Sequence, residues 1–562
     1  SNELRNKGDY QETKGTEAGI VNSMLGVNLK INKYNSLGLT ALYNHSGEKT
    51  SRYLVGERPE QIIDEDQLEG RGLSFEERQL FSSHFGGDHA IVGLNNAKLE
   101  WKVGYTKSSM DEPATRYFTN VHNTELDIYS IPKQSVQLPA FYYRTLTDDQ
   151  FDAKIDFELP LGQNENKIKV GGLYTSKDRV FDEQLYQIFT SNFATPYAGD
   201  PDVFLGEDNI GIISLDETRN QYRIGNYLVD FTSPNNAYTG NNTVTAGYAM
   251  WKTKITSHLK MVAGARYEKT DLEVISGDEN IDIEERTGAI NQGDVLPVVN
   301  LIYATGEKSN FRAAYSKTLA RPNMREIAPF VSYDPLTASF IIGNTDLKRT
   351  LVGNYDLRWE WFMNPGEIVA VSAYYKDFTD PISSRYLPSS NTEIKFINVD
   401  RAKVYGIELE FRKSLQFLSP RFKNLKFSSN LSLINSDVDV VKTSPYEPET
   451  RPFEGQAPYI VNAALLYDNS INNVAATLSL NYIGDRLRFL GQDGAPDIYD
   501  RARGQLDFNL QKKFGQIGLS LTAQNLLNSD FVISSDYKGK EYLYSRFKAG
   551  TSYSLGVSYS FR

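Results

Sequence analysis

Thr551-Ser-Tyr-Ser-Leu-Gly-Val-Ser-Tyr-Ser-Phe561 reads as period two throughout. Its odd positions are Thr551, Tyr553, Leu555, Val557, Tyr559 and Phe561, and its even positions are Ser or Gly. Such a segment is a β-strand with one apolar and one polar face. Working outward, Phe151, Ala153, Ile155, Phe157 and Leu159 repeat the pattern against Asp152, Lys154, Asp156 and Glu158. Val474 to Tyr482 repeats it too, and Tyr405, Ile407, Leu409 and Phe411 oppose Glu408, Glu410 and Arg412. Alternation alone fits a soluble sandwich as well as a membrane barrel. The alternating runs span ten to twenty residues, whereas soluble strands average about five or six. Tyr374, Tyr375 and Phe378 cluster near a strand end, as in an interfacial aromatic girdle.

Composition agrees with that reading. The 562 residues include 35 Tyr and 29 Phe, yet the mean hydropathy is only −0.45. No apolar run reaches the ~20 residues that a membrane helix needs. Lys and Arg number 60 against 71 Asp and Glu, a net charge of −11, which provides no general attraction to nucleic acid. Cysteine is absent, so there is no thiolate ligand, nucleophile or disulfide framework.

The pattern predicts nineteen strands, the first at 19–31 and the last at 546–561, and their connections alternate short and long. Asn32 to Ser36, Pro160 to Glu165 and Gly306 to Ser309 are turns, whereas 54–70, 109–139, 182–242, 320–349 and 439–457 are loops. Outer-membrane barrels sort their connections in this way, with short periplasmic turns and long extracellular loops. The expected fold is an all-β antiparallel transmembrane β-barrel over 19–562, its outer face against outer-membrane lipid, with 1–18 as the remnant of an extracellular loop. Single-chain bacterial barrels normally have an even strand number, and plugged transporters have 22. With 22 strands in the full barrel, three are expected to precede residue 19; a true nineteen-strand barrel and a count off by one are the competing readings.

Ala314-Tyr-Ser-Lys-Thr-Leu-Ala-Arg-Pro-Asn-Met-Arg-Glu-Ile-Ala-Pro-Phe330 resembles the strand and loop motif of TonB-dependent outer-membrane receptors. Gly343-Asn-Thr-Asp-Leu347, Tyr374-Tyr-Lys-Asp-Phe378, Tyr405-Gly-Ile-Glu-Leu409, Gly455-Gln-Ala-Pro-Tyr459 and Asn525-Leu-Leu-Asn528 follow in the family's order. The resemblance covers residues 71–562 at least. It implies a multi-pass protein of a Gram-negative outer membrane that captures a scarce small ligand and imports it with energy from the TonB complex. That coupling runs through an upstream plug, which is not visible in this sequence. A metal chelate such as a siderophore is the favoured ligand. A glycan or peptide importer with a surface lipoprotein partner, or a passive porin, are the alternatives.

The ligand-binding candidates are loop residues. Tyr186, Phe189, Phe193, Tyr197 and Tyr222 belong to the longest loop and offer rings for stacking and hydroxyls for orientation. Against this stands packing of the loop on its neighbours. Arg321 and Arg325 are forks suited to an anion, or else partners of local acids such as Glu326 and Asp334. Two acidic clusters, Asp64, Glu65, Asp66 and Glu69, and Asp278, Glu279, Asp282, Glu284 and Glu285, offer oxygen ligands for a structural calcium but lack the spacing of a dedicated loop. No cofactor is otherwise expected. The five histidines, His45, His84, His89, His122 and His258, fall in no catalytic motif, and neither a Gly-x-Ser-x-Gly elbow nor a His-Glu-x-x-His pair occurs, so no enzyme is expected.

Overall fold

A computed structural model describes residues 8–57, 66–132, 138–162, 165–334, 339–388, 392–439, 450–491 and 495–561. Nineteen long strands run through it as an antiparallel meander. They are β1 Asp9–Asn32, β2 Asn35–Glu57, β3 Asp66–Ile91, β4 Ala97–Asn123, β5 Ala140–Leu161, β6 Asn166–Thr190 and β7 Tyr238–Lys254. Then come β8 Leu259–Ser276, β9 Thr287–Gly306, β10 Ser309–Ala320, β11 Thr350–Trp361, β12 Ile368–Thr379 and β13 Arg401–Ser414. The last six are β14 Leu425–Asp439, β15 Tyr459–Asn469, β16 Val474–Ile483, β17 Arg503–Phe514, β18 Ile517–Gln524 and β19 Ser552–Tyr559. Each pairs with the next in order, from β1 with β2 to β18 with β19. Three short pieces, Ile128–Ser130, Asn226–Asp230 and Thr450–Arg451, bring the sheet to 22 strands. Among the described residues β1 pairs only with β2, and β19 only with β18.

All nineteen expected strands are present, but several are longer than expected. Residues 9–18, expected as a loop remnant, are the outer part of β1 and pair with Glu48–Glu57. β4 has 27 residues, so at ~3.3 Å each it is roughly 90 Å long, while crossing a membrane takes about 9–11 residues. The surplus of β1 to β6 stands beyond the membrane on the long-loop side. There neither face meets lipid, and the apolar alternation that marks a strand in sequence is lost. The run 394–414 is two strands, Thr392–Asn398 and β13. They part where Val399 N–H donates to the Pro381 carbonyl and Asp380 N–H to that of Asp400.

The register places charge and apolarity on opposite faces. On one face the Arg179 guanidinium grips the Asp148 carboxylate with two 2.6 Å bonds. Lys154 and Lys169 reach Asp156 at 2.9 and 3.0 Å, and Lys167 reaches Glu158 at 2.6 Å. The other face of the same strands presents Phe151 and Ile155, about half exposed. We call the charged face inner and the apolar face outer.

The outer face also fixes the level of the membrane. Tyr315, Tyr355, Tyr375 and Tyr405 lie directly across from one another on β10 to β13. Toward the short turns, apolar rows end at Trp359 and Trp361, opposite Phe311 and Ser309. Six residues separate Tyr355 from Trp361, roughly 20 Å along the strand, which matches an apolar band between two aromatic girdles. The next outward row, Lys317, Gly353, Asp377, Lys403 and Asp437, is charged and lies beyond the tyrosines.

Four long-side connections contribute hairpins to a second, eight-stranded sheet. It joins Val331–Asp334, Ser339–Ile342, Ile382–Pro388, Thr392–Asn398, Arg486–Gly491, Ile498–Asp500, Phe531–Tyr537 and Lys540–Phe547. Parallel contacts link hairpins from different loops, Ser339–Ile342 with Thr392–Asn398 and Ile382–Pro388 with Arg486–Gly491. The one-turn helices α1, Pro201–Phe204, and α2, Met324–Ile327, sit in two of the long connections.

Candidate functional site

The Arg-Pro connection between β10 and β11 builds the site. Asn323 caps α2 by accepting from the N–H groups of Arg325 and Glu326, both at 3.0 Å, and the Glu326 carboxylate accepts from Asn323 N–H at 2.9 Å. This reciprocal box holds one helical turn where propensity alone would not. Met324 and Ile327, three residues apart, fall on one side and are buried. They pack with Ala328, Phe330 and Leu347 against Phe181, Tyr238, Leu272, Val274 and Ile290 of the inner face. The connection thus folds back onto the inner wall. Gly240 and Gly288 permit the approach, since a Cβ there would stand 2.8 Å from Met324 Sδ and 2.6 Å from Ile327.

Both ends of the connection are clamped by charge. Arg321 Nε donates to Thr270 Oγ1 at 2.8 Å, and its guanidinium pairs with Glu268 of β8, which Arg266 also binds. Arg349 grips Asp294 of β9 with two bonds of 2.6 Å. Arg321 therefore pairs across the inner wall instead of with Glu326, whose carboxylate is spent on the cap and whose pKa is raised by burial. Arg325 differs from both. It donates to the carbonyls of Phe330 at 3.2 Å and Ile341 at 3.1 Å and lies 4.2 Å from the centre of the Phe330 ring. Among the described residues no carboxylate is within ion-pair distance of it, and burial lowers its pKa to about 10.

The aromatic candidates separate to opposite faces. Phe193 and Tyr197 join Phe204 of α1 in a core against Phe118 and Ile188. Phe118 pairs with Arg71, and Ile188 lies one residue from inner-facing Gln187, so this core sits on the outer face of the strand extensions. A register shift between Glu112 and Thr115 turns β4 over there and brings Phe118 outward. Tyr186 is also outward, edge-on to Tyr143 at 5.9 Å. Phe189 faces inward, stacked on Tyr227 and Phe231 at 5.9 and 5.5 Å. Tyr222 stands in solvent on a hairpin, 66% exposed. Of the seven candidates, Phe189, Arg321 and Arg325 thus share the inner side of the sheet, and the other four do not.

Inner-wall residues above Asp148 were not singled out in the sequence. Arg144 bonds Glu183 at 2.5 Å and Glu112 at 3.3 Å and covers the Tyr142 ring at 4.6 Å. Tyr117 meets Tyr142 edge-on at 5.7 Å, and Asn236 donates to Glu183 at 2.6 Å. Counting back in twos from Asp148 reaches Arg144 and Tyr142, so the signal was present once β5 was known to extend that far.

Asp64 and Glu65 lie outside the described residues. Asp66 accepts from Asn123, Glu69 from Asn120, and Asp278 from the Asn280 backbone of its own turn. Among the described residues no three acidic or histidine side chains converge on a cation position. The histidines are held singly, His45 by Glu77, His122 by Asp127, and His89 by Asn35 and Trp101.

A membrane-spanning meander of long alternating strands, an ion-paired inner wall and a loop folded onto that wall define an outer-membrane transport barrel. The chain belongs to the family of TonB dependent receptor-like β-barrels, whose model matches residues 13–526. Solved structures share the fold at low identity. The ferric-catecholate import receptor Fiu of K12 E. coli superposes with a TM-score of 0.57 at 11% identity, over 99% of this chain and 82% of that one. The ferric yersiniabactin uptake receptor FyuA of Yersinia pestis gives 0.56 at 11%, over 98% and 79%. The copper transporter OprC gives 0.56 at 12%, over 100% and 81%. No curated protein matches the chain. Family membership places the protein in the outer membrane of a Gram-negative bacterium and assigns it to TonB-dependent transport, a receptor and transporter class and not an enzyme class.

Proposed function

We propose that the barrel takes up an anionic metal chelate, of siderophore type, and that TonB supplies the energy for its release inward. The observation that carries this reading is Arg325. It is a partly buried cation on the loop that folds onto the inner wall, with its hydrogen bonds on carbonyls and no described carboxylate within ion-pair distance. Arg321 and Arg349, by contrast, are each held in an ion pair, with Glu268 and Asp294. An anion meeting Arg325 gains a charge-assisted hydrogen bond of about 1.5–3 kcal/mol. The inward stack of Phe189, Tyr227 and Phe231 supplies planar surface to an aromatic chelate. The uptake of iron chelates by Fiu and FyuA, as their names state, supports the same substrate class.

In a binding titration with the full chain, Arg325→Gln is expected to weaken a ferric tricatecholate by roughly 10-fold or more, by the magnitude above. Binding of an uncharged oligosaccharide should stay undetectable in both forms. Hydrogen exchange over residues 321–347 serves as the control for loop docking. Unchanged chelate affinity with a docked loop, or saturable binding of the neutral sugar, would overturn the proposal.

A further inference from the structure

We infer that the outer face of β9 to β12 holds a specific site for a phosphorylated, multiply acylated glycolipid of the outer leaflet, lipid A in chemistry. A groove of about 530 Å3 runs along this face. Its floor is Ala313 and Ala373, its walls are Leu301 and Leu357, and its upper end is roofed by Tyr315, Tyr355 and Tyr375. Eight of the eleven lining residues have outward parity, the other three being Ala314, Asp356 and Tyr374 between them in the strands, so the groove lies on the bilayer side of the sheet. The two alanines create the depth, because their neighbours in the same rows are Leu and Ile.

At ~30 Å3 for a water-sized group, the groove has room for an acyl chain of a dozen or so methylenes. Burying a chain there is favourable relative to water but gains little relative to bulk lipid. Selection must therefore come from shape and from the head. The tyrosine rings are neighbours at 5.0 Å and 6.0 Å between centroids and form a continuous roof. Directly above them in the outward register stands Lys317, facing Gly353. Gly353 leaves an opening over Tyr355 into which a head group fits, since a Cβ there would meet nothing closer than 3.7 Å. Lys317 has no carboxylate within ion-pair distance among the described residues. Asp377 and Lys403 follow in the same row and oppose each other, so Lys317 retains its charge for a phosphate.

The choice of leaflet follows from the strand direction. β10 rises from the short turn at Glu307 and Lys308 toward the long loop, so the tyrosine roof and Lys317 are at the extracellular interface. In a Gram-negative outer membrane that leaflet carries phosphorylated glycolipid. A phospholipid also has an acyl chain and a phosphate, and the test below separates the two.

The test is native mass spectrometry of the full chain in mild detergent, titrated separately with purified lipid A, dephosphorylated lipid A and phosphatidylethanolamine. The expected result is one tightly held lipid A per chain, preferred at least tenfold over the other two. Ala313→Phe with Ala373→Phe fills the groove and should reduce lipid A occupancy tenfold or more. Lys317→Gln should leave lipid A no better bound than its dephosphorylated form. Heat-modifiable electrophoretic mobility shows that each variant has folded, and Ala373→Phe alone serves if the double variant does not fold. Equal occupancy in folded wild-type and groove-filled chains, or equal binding of phosphatidylethanolamine and lipid A, overturns the inference.

Discussion

Ile327→Ala is expected to release the Arg-Pro loop from the inner wall. Ile327 is fully buried beneath α2, and its side chain fills the space left by Gly288 against Leu272 and Ile290. Truncating a buried Ile to Ala costs about 2–5 kcal/mol, because lost transfer energy and an unfilled cavity add together. A one-turn helix has no reserve of its own, since nucleation is unfavourable and its stability comes from docking. The loss should therefore fall on the connection and not on the sheet. Amides of 324–330 should exchange roughly 30-fold faster or more, given tenfold per ~1.4 kcal/mol, while those of β8 and β9 keep their protection. Ile327→Val, which leaves a smaller void, should cost about 0.5–1.5 kcal/mol. Equal protection of the loop in the wild type and Ile327→Ala would show that the inner core is not what holds it.

The second large effect belongs to the outer face. Leu357→Arg puts a charge on the lipid face two residues inside the tyrosine row and four from Trp361, where a cation costs up to the midplane figure of about 2–4 kcal/mol. The adjacent Arg358 faces inward and already bears that charge without penalty, satisfied by Glu410 at 2.8 Å and by Ser372 at 3.0 Å. The contrast between neighbours one residue apart makes the prediction specific. Equilibrium unfolding from phospholipid vesicles should show the loss for Leu357→Arg. Lys317→Arg, in the charged row beyond the girdle, should fall within ~0.5 kcal/mol of the wild type. A Leu357→Arg variant as stable as the wild type would contradict the assignment of faces.

Much of this architecture was legible because lipid imposes a strict rule on one face. Where a strand crosses the apolar band, outward positions must be apolar and the period is plain, as at Phe151 to Leu159 or Tyr405 to Phe411. Beyond the band the rule lapses. Ser109 to Asn123 carries Asp111, Glu112 and Pro113 and reads as loop, yet it completes β4 by pairing with β3 and β5. The second sheet was invisible for a different reason. Its joints, such as Arg385 opposite Leu490, link connections about a hundred residues apart, and nothing local announces such a pairing.

The candidate site was legible in part on similar grounds. Arg321 and Arg325 stand out beside Pro322, and the structure carries both to the inner wall. The aromatic loop residues stand out as strongly, but aromaticity says nothing about direction. The bulge at Glu112 to Thr115 decides that Phe118, and with it Tyr197 and Phe193, packs outside. A rule of period two is only as good as the last bulge, since one extra residue exchanges the faces of everything beyond it.

The natural absence of cysteine allows the central claim to be tested one position at a time. Single cysteines placed in turn from Arg312 to Ser316 of β10 in the full chain, reconstituted in lipid, can be probed with a water-soluble maleimide and with a lipid-borne quencher. Positions 312, 314 and 316 should react with the maleimide, and 313 and 315 should be shielded from it and quenched from the bilayer. Reactivity without that alternation, or with the two sets exchanged, would contradict a barrel whose charged face encloses the transport path and whose tyrosine-girdled face meets lipid.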